Sequence, residues 1–155
     1  YIAAVSKMKD IKRVFMYHGA EHKTIFCYES GAELNIENVR KNKRFHPRCG
    51  TSFLLIMVII GIIVNGIIAA VFPAVTTITA LWVAIKLLVL PLVCGIGYEI
   101  IRICGRYDNK ITAVISAPGM WMQRLTTKEP TDDMIEVAIA SLNAVKPENP
   151  EEDRW

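Results

Sequence analysis

Residues 16 to 29 read MYHGAEHKTIFCYE, and positions 18 to 22 of that stretch hold two of the three histidines in a 155-residue chain. His18 and His22 are four apart, so on a helix both imidazoles leave from one face and can grip one ion. Glu21, three residues from His18, sits on the neighbouring edge of that face, where a carboxylate can act as a general base. A second concentration is His46-Pro47-Arg48-Cys49-Gly50, with two good zinc ligands three apart in a turn. Gathered together, His18, His22, His46 and Cys49 would make the four-ligand N/S set that zinc prefers. The bland alternative is a neutral hydrogen-bonded cluster in which the histidines are polar residues of a surface helix and Cys49 is a small buried residue. Lys23, Arg44 and Arg48 flank the candidates and would repel a bare dication unless Cys49 is thiolate and a carboxylate is ionised.

The elements that must position these groups follow from hydropathy. A chain that is 52% hydrophobic and still 21% charged must distribute its apolar residues unevenly. Phe53 to Phe72 carries no charge, and Leu81 to Ile103 carries only Lys86, Glu99 and Arg102. At about 1.5 Å per residue either run can cross a hydrocarbon core of about 30 Å. Phe53 to Val64 is apolar on every face, whereas a core helix of a soluble protein keeps a polar stripe.

Orientation follows from the basic residues. Lys7, Lys9, Lys12, Arg13, Lys23, Arg40, Lys41, Lys43, Arg44 and Arg48 precede the first run, Arg102, Arg106, Lys110, Arg124 and Lys128 accompany or follow the end of the second, and Pro73 to Thr79 has none. The positive-inside rule then predicts a helical hairpin with a short outer turn and both flanks cytosolic. Lys86, near the outer end of the second run, is expected to snorkel to the headgroups. Asn65 with Gly61 and Gly66 offers a face on which another helix can pack, from this chain or another subunit. Glu99 lies seven residues before Arg106, roughly 10 Å along a helix, which brings it toward the cytosolic boundary as a further candidate ligand.

The rest of the chain fits that frame. Lys7 to Phe26 has Ile11, Val14, Phe15, His18, His22 and Ile25 at helical spacing, predicting one amphipathic helix that ends at Glu29-Ser30-Gly31. Asn35 to Asn42 predicts a short polar helix, and Arg44 to Ser52 a turn into the first span. Asn109 to Leu125 predicts an interfacial segment broken at Pro118-Gly119, with Trp121 at headgroup level. Thr131 is positioned to cap a helix with Asp132 and Asp133 in its first turn and a stripe of Met134, Ile135, Ala138, Ile139, Leu142 and Val145. The opening Tyr1-Ile2-Ala3-Ala4-Val5 followed by Ser6 to Arg13 reads as the cytosolic end of a preceding membrane helix, so an N-terminally truncated fragment is expected. Cys27 and Cys49 fall on the side expected to be cytosolic, and a disulfide framework is not expected.

The expected fold class is an all-α integral membrane protein. Residues 1–52 hold the end of a preceding membrane helix, the amphipathic helix and the His/Cys turn. Residues 53–103 form the transmembrane hairpin, 104–146 a cytosolic interfacial segment and C-terminal helix, and 147–155 an acidic tail. The expected partners are the lipid bilayer and a second copy or another membrane protein. Nucleic acid is not expected, because no basic patch is interleaved with aromatics.

Two resemblances add to this. His18-Gly19-Ala20-Glu21-His22 resembles the HxxEH motif of the inverzincins, in which two histidines hold zinc and the glutamate is the base; those enzymes are soluble, so the likeness is one of chemistry. The strings RVFMYHGAEHKTI, ENVRKNKRFHPRCGTSFL, GYEIIR and APGMWMQRLTTKEPTDDMIEVAIASL resemble the YqhQ-like family of bacterial membrane proteins, a family of unknown function catalogued as predicted metal-dependent enzymes. That resemblance implies a bacterial inner-membrane protein with a metal site and further residues on its N-terminal side. His18, Glu21, His22, His46, Cys49 and Glu99 match its strings. The functional expectation is a site for a divalent metal, zinc by donor type, in a membrane hydrolase with Glu21 as catalytic base and His18, His22, His46, Cys49 and Glu99 as candidate ligands. The alternative is a non-catalytic membrane factor whose closed zinc site holds the cytosolic helices for a partner.

Overall fold

The computed structural model describes residues 2–107 and 109–147, and among them every regular element is helical. The helices are α1 (Ile2–Val5), α2 (Lys9–Glu29), α3 (Ile36–Lys41), α4 (Gly50–Val71), α5 (Pro73–Thr77), α6 (Thr79–Arg106), α7 (Lys110–Thr126) and α8 (Asp132–Val145). They divide into two compact units, one built from residues through His46 and from Met120 onward, the other from Pro47–Gly119. The acidic tail expected over 147–155 lies outside the described residues from position 148 on.

The first unit is built around α2, α3 and α8. Its core is Ala20, Cys27, Val39, Met134 and Ile135, with Met16, Tyr17, Leu34, Ile36, Ala138 and Ile139 packed at its edge. Met16, Ala20 and Cys27 repeat at helical spacing, so one face of α2 is buried on its partners. Ile135 is 1% exposed, burial that contributes about 1.5 to 3 kcal/mol for a side chain of that kind. The stripe expected from Ile11, Val14 and Ile25 lies on the other side of the helix, and Val14 is 58% exposed. Small residues decide the choice, because Ala20 and Cys27 let the neighbouring helices approach and the bulkier stripe does not.

Local signals set the helix ends. Gly31, with φ 70, follows the C-cap Ser30, and the Gly31 N–H donates to the Tyr28 carbonyl at 2.9 Å. Asn35 caps α3 by accepting from the Asn38 N–H at 2.9 Å. Thr131 occupies the N-cap position of α8 but makes no side-chain cap bond; its carbonyl accepts from the Met134 and Ile135 N–H groups instead. Arg40 of α3 is paired with Asp132 at the start of α8, and that carboxylate raises the guanidinium pKa above its ordinary value.

The second unit contains α4, α5, α6 and the first part of α7. Gly97 of α6 faces Phe53 and Met57 of α4, where an added Cβ would lie 3.2 and 3.3 Å from their side chains. α4 and α6 are long and apolar enough to cross a membrane. Lys86 reaches back one turn, its Nζ 4.8 Å from the centre of the Trp82 ring. Pro91 sits inside α6 without ending it. Asn65 Nδ2 donates to the Gly61 carbonyl at 2.7 Å. Among the described residues nothing lies within 4 Å of a Cβ built at Gly61 or Gly66.

The break expected at Pro118-Gly119 is absent, since α7 runs unbroken from Lys110 to Thr126. Proline removes one backbone donor but can remain in a helix that is anchored on both sides of it. Gly119 shows such an anchor, because a Cβ there would lie 2.5 Å from Ser52 Oγ and 2.6 Å from its Cβ.

Candidate metal centre

In α2 the face opposite the core carries the chemistry. His18, His22, Phe26 and Glu29 recur every three or four residues and so share that face. The segment after α3 and the end of α7 lie against it. His18 Nδ1 is 2.8 Å from the Thr126 carbonyl oxygen, and His22 Nδ1 is 2.6 Å from that of Arg44. A carbonyl oxygen can only accept, so both Nδ1 atoms carry the hydrogen, which in a neutral ring leaves the lone pair on Nε2. Metal-ligating histidines characteristically have this arrangement, one ring nitrogen donating to an acceptor and the other directed to the ion.

The two rings meet edge-on with centroids 4.4 Å apart, and a nitrogen of one lies within 4.8 Å of a nitrogen of the other. Bonds of about 2.0 to 2.1 Å to a common ion need nitrogens roughly 3 to 3.5 Å apart. An ion held by both rings would need those nitrogens drawn to that separation.

His46 joins the same cluster by another route. Its ring centroid is 5.8 Å from that of His22 and 4.5 Å from that of Phe26. Its Nε2 lies 3.3 Å from Glu29 Oε2, an ion pair when the ring is protonated. Its backbone is held at both ends by one side chain: the His46 N–H donates to Gln123 Oε1 at 2.8 Å, and Gln123 Nε2 donates to the His46 carbonyl at 2.7 Å. Gln123 is fully buried.

The chain between α7 and α8 crosses α2 at Gly19. The Lys128 N–H donates to the Phe15 carbonyl at 2.7 Å, and a Cβ on Gly19 would lie 2.0 Å from the Lys128 carbonyl oxygen. The glycine in His18-Gly19-Ala20-Glu21-His22 is therefore a crossing point.

The expected repulsion from Lys23 and Arg44 is met by a residue that sequence reasoning did not single out. Glu129 takes both cations, with Lys23 Nζ at 2.5 Å from Oε1 and Arg44 Nη1 at 3.3 Å from Oε2. Lys23 Nζ also donates to the Arg40 carbonyl at 2.9 Å.

The remaining candidates sit as follows. Glu21 is exposed on α2. Cys49 is buried at the N-cap of α4 in the second unit, its Sγ 3.1 Å from Thr51 Oγ1. Glu99 is exposed on α6, where Arg102 Nη1 donates to its Oε2 at 3.4 Å. In the same unit Arg48 lies along α6, and a Cβ on Gly105 would fall 2.4 Å from its Cδ.

The model of a family described as proteins of unknown function, DUF1385, matches residues 1–148. The chain belongs to that family. An uncharacterised protein of Bacillus subtilis (strain 168), YqhQ, is 40% identical over 146 residues, covering 92% of this chain and 43% of its own length. The chain thus spans less than half the length of that relative. No solved structure matches it.

For this DUF1385 chain, the residues missed in the sequence had faint signals. Glu29 lies three helical turns beyond His18, hence on the histidine face. Gln123 stands in a row with Gly119 and Thr126 at helical spacing, a small and polar row within an otherwise apolar helix. Nothing local marked Glu129, whose two partners come from distant segments.

Proposed function

We propose that this DUF1385 chain is part of a bacterial inner-membrane protein that holds a divalent metal, zinc by donor chemistry, at its cytosolic face and uses it in hydrolysis. The tautomers of His18 and His22 carry the metal reading. Two imidazoles four residues apart, each with Nδ1–H tied to a carbonyl, have the hydrogen-bonded anchor that metal-ligating histidines need. Their Nε2 atoms are the first two ligands. One of His46, Cys49 or Glu99 is proposed as the third, and the cobalt spectrum of Cys49→Ser tests the thiolate.

Three protein ligands leave one position for a water or substrate. A divalent ion held there would lower the pKa of a bound water, and Glu21 would be the carboxylate to take its proton. Partial exposure of His18 gives that position a path to solvent. A second reading, a closed structural site with four protein ligands, is favoured by the burial of His22 and His46, each at 3% exposure.

The membrane reading rests on what α4 and α6 leave uncovered. In their most apolar 18-residue windows 6% and 11% of residues are buried within the chain, and Ile62 and Leu88 are 68% and 79% exposed. A core helix of a soluble protein would bury such residues. Gly61 and Gly66, with no side chain of another element near them among the described residues, and Asn65 between them suit packing against another helix, from the longer protein or a second copy.

Metal analysis of the purified full-length protein tests the proposal, with cobalt(II) as a spectroscopic probe. Bound zinc lost in His18→Ala and His22→Ala, and a thiolate-to-cobalt band lost in Cys49→Ser, are the expected results. X-ray absorption then separates three protein ligands from four. Wild-type protein that retains no metal and gives no cobalt spectrum would overturn the site.

A further inference from the structure

Helix α7 is inverted relative to an ordinary surface helix. Thr112, Gly119, Gln123 and Thr126 recur at helical spacing and are buried. Ile111, Val114 and Trp121 lie away from that row, at 72%, 72% and 61% exposure. A surface helix in water buries its apolar face and exposes its polar one. The inward face of α7 is satisfied by specific contacts: Thr112 Oγ1 donates to the Tyr107 carbonyl at 2.8 Å, Gly119 meets Ser52, and Gln123 clasps His46. Rolling the helix to hide its apolar face would break them.

We propose that the outward face of α7 lies in the cytosolic leaflet of the bilayer, at the boundary between headgroups and acyl chains, as an in-plane anchor on anionic lipid. This inference rests on the reading of α4 and α6 as membrane spans. Four observations select lipid as the occupant. α6 ends at Arg106 and α7 begins at Lys110, so the connecting residues tether the start of α7 to the point where the span leaves the membrane. Lys110 and Arg124 are exposed beside the apolar stripe, one near each end of the helix, where long cationic side chains can reach anionic headgroups. Trp121, at the far end of the stripe, has the amphipathic ring that such a depth favours.

The fourth observation is Pro118, which is exposed and supplies no N–H for the carbonyl of Val114 one turn earlier. Such a carbonyl is expensive in hydrocarbon and finds water at headgroup level. The depth is therefore the boundary.

Tryptophan quenching tests this in the full-length protein, reconstituted in nanodiscs of phosphatidylethanolamine and phosphatidylglycerol with brominated acyl chains. One variant keeps Trp121 and replaces every other tryptophan by phenylalanine. A second replaces Trp121 as well and carries Leu88→Trp on the exposed face of α6. The expected result is that Trp121 loses more emission to bromine near the headgroups than to bromine near the bilayer centre, and little to aqueous acrylamide. Strong quenching by acrylamide would overturn the proposal, and so would protection from both quenchers, which would mean that protein covers the stripe. If position 88 is quenched by brominated lipid and Trp121 is not, the anchor fails and the membrane reading stands. If neither is quenched by lipid, both fail.

Discussion

Gln123 and His46 hold each other through two hydrogen bonds, the side-chain amide of one accepting the N–H and donating to the carbonyl of the other at 2.8 and 2.7 Å. A side chain of α7 thereby substitutes for a backbone partner and fixes the turn that carries His46.

Replacing Gln123 by leucine leaves a buried N–H and a buried carbonyl without partners. Each unsatisfied group costs about 1 to 3 kcal/mol, so the variant is expected to lose roughly 2 to 6 kcal/mol in chemical or thermal unfolding. Gln123→Glu keeps an acceptor but sets a carboxylate against the buried His46 carbonyl, and should also be less stable than wild type. A leucine variant as stable as wild type would show that the clasp adds nothing.

Gly19→Ala should destabilise the fold although alanine is the better helix former by about 1 kcal/mol. Its Cβ would stand 2.0 Å from the Lys128 carbonyl oxygen, a backbone atom with nowhere to rotate. The crossing strand must move, and the Lys128 to Phe15 hydrogen bond with it. A lowered midpoint and faster hydrogen exchange at Lys128 are the expected readings. A raised midpoint would mean that the crossing yields easily.

Cys27 should resist alkylation in the folded protein. Burial pushes its thiol above the ordinary value, so less thiolate is present at any given pH, and the side chain is fully enclosed by the core. Folding thus holds a proton that the unfolded chain releases, and this residue's contribution to stability declines as pH rises past the ordinary thiol pKa. Mass spectrometry after iodoacetamide treatment should find Cys27 unmodified in native protein and modified in denaturant. Rapid native modification would contradict the enclosed core.

Topology is open to labelling in intact cells. Single cysteines at Thr76 and Lys128 should differ, the first reacting with a membrane-impermeant maleimide and the second reacting only after the cells are opened, as the distribution of lysine and arginine requires. Strong labelling at position 128 in intact cells would refute the hairpin.

Sequence alone determined the helical class and the two long apolar helices, because uninterrupted runs such as Phe53 to Phe72 and the charges bounding them are local properties of the chain. It also determined that His18 and His22 share a face, since the period of an α-helix places residues four apart together. The helix end at Gly31 was legible from a single residue, whereas Thr131, at the N-cap position of α8, makes no side-chain cap bond. Tertiary structure decided which face of α2 is core, because Ala20 and Cys27 matter through the helices they admit. It decided that α7 continues through Pro118, that Glu129 gathers Lys23 and Arg44, and that Gln123 holds His46. The tautomers of His18 and His22 belong to the same class, fixed by the carbonyls of Thr126 and Arg44. Each of these depends on an acceptor or donor brought from far along the chain, and no periodicity within a segment encodes such a partner.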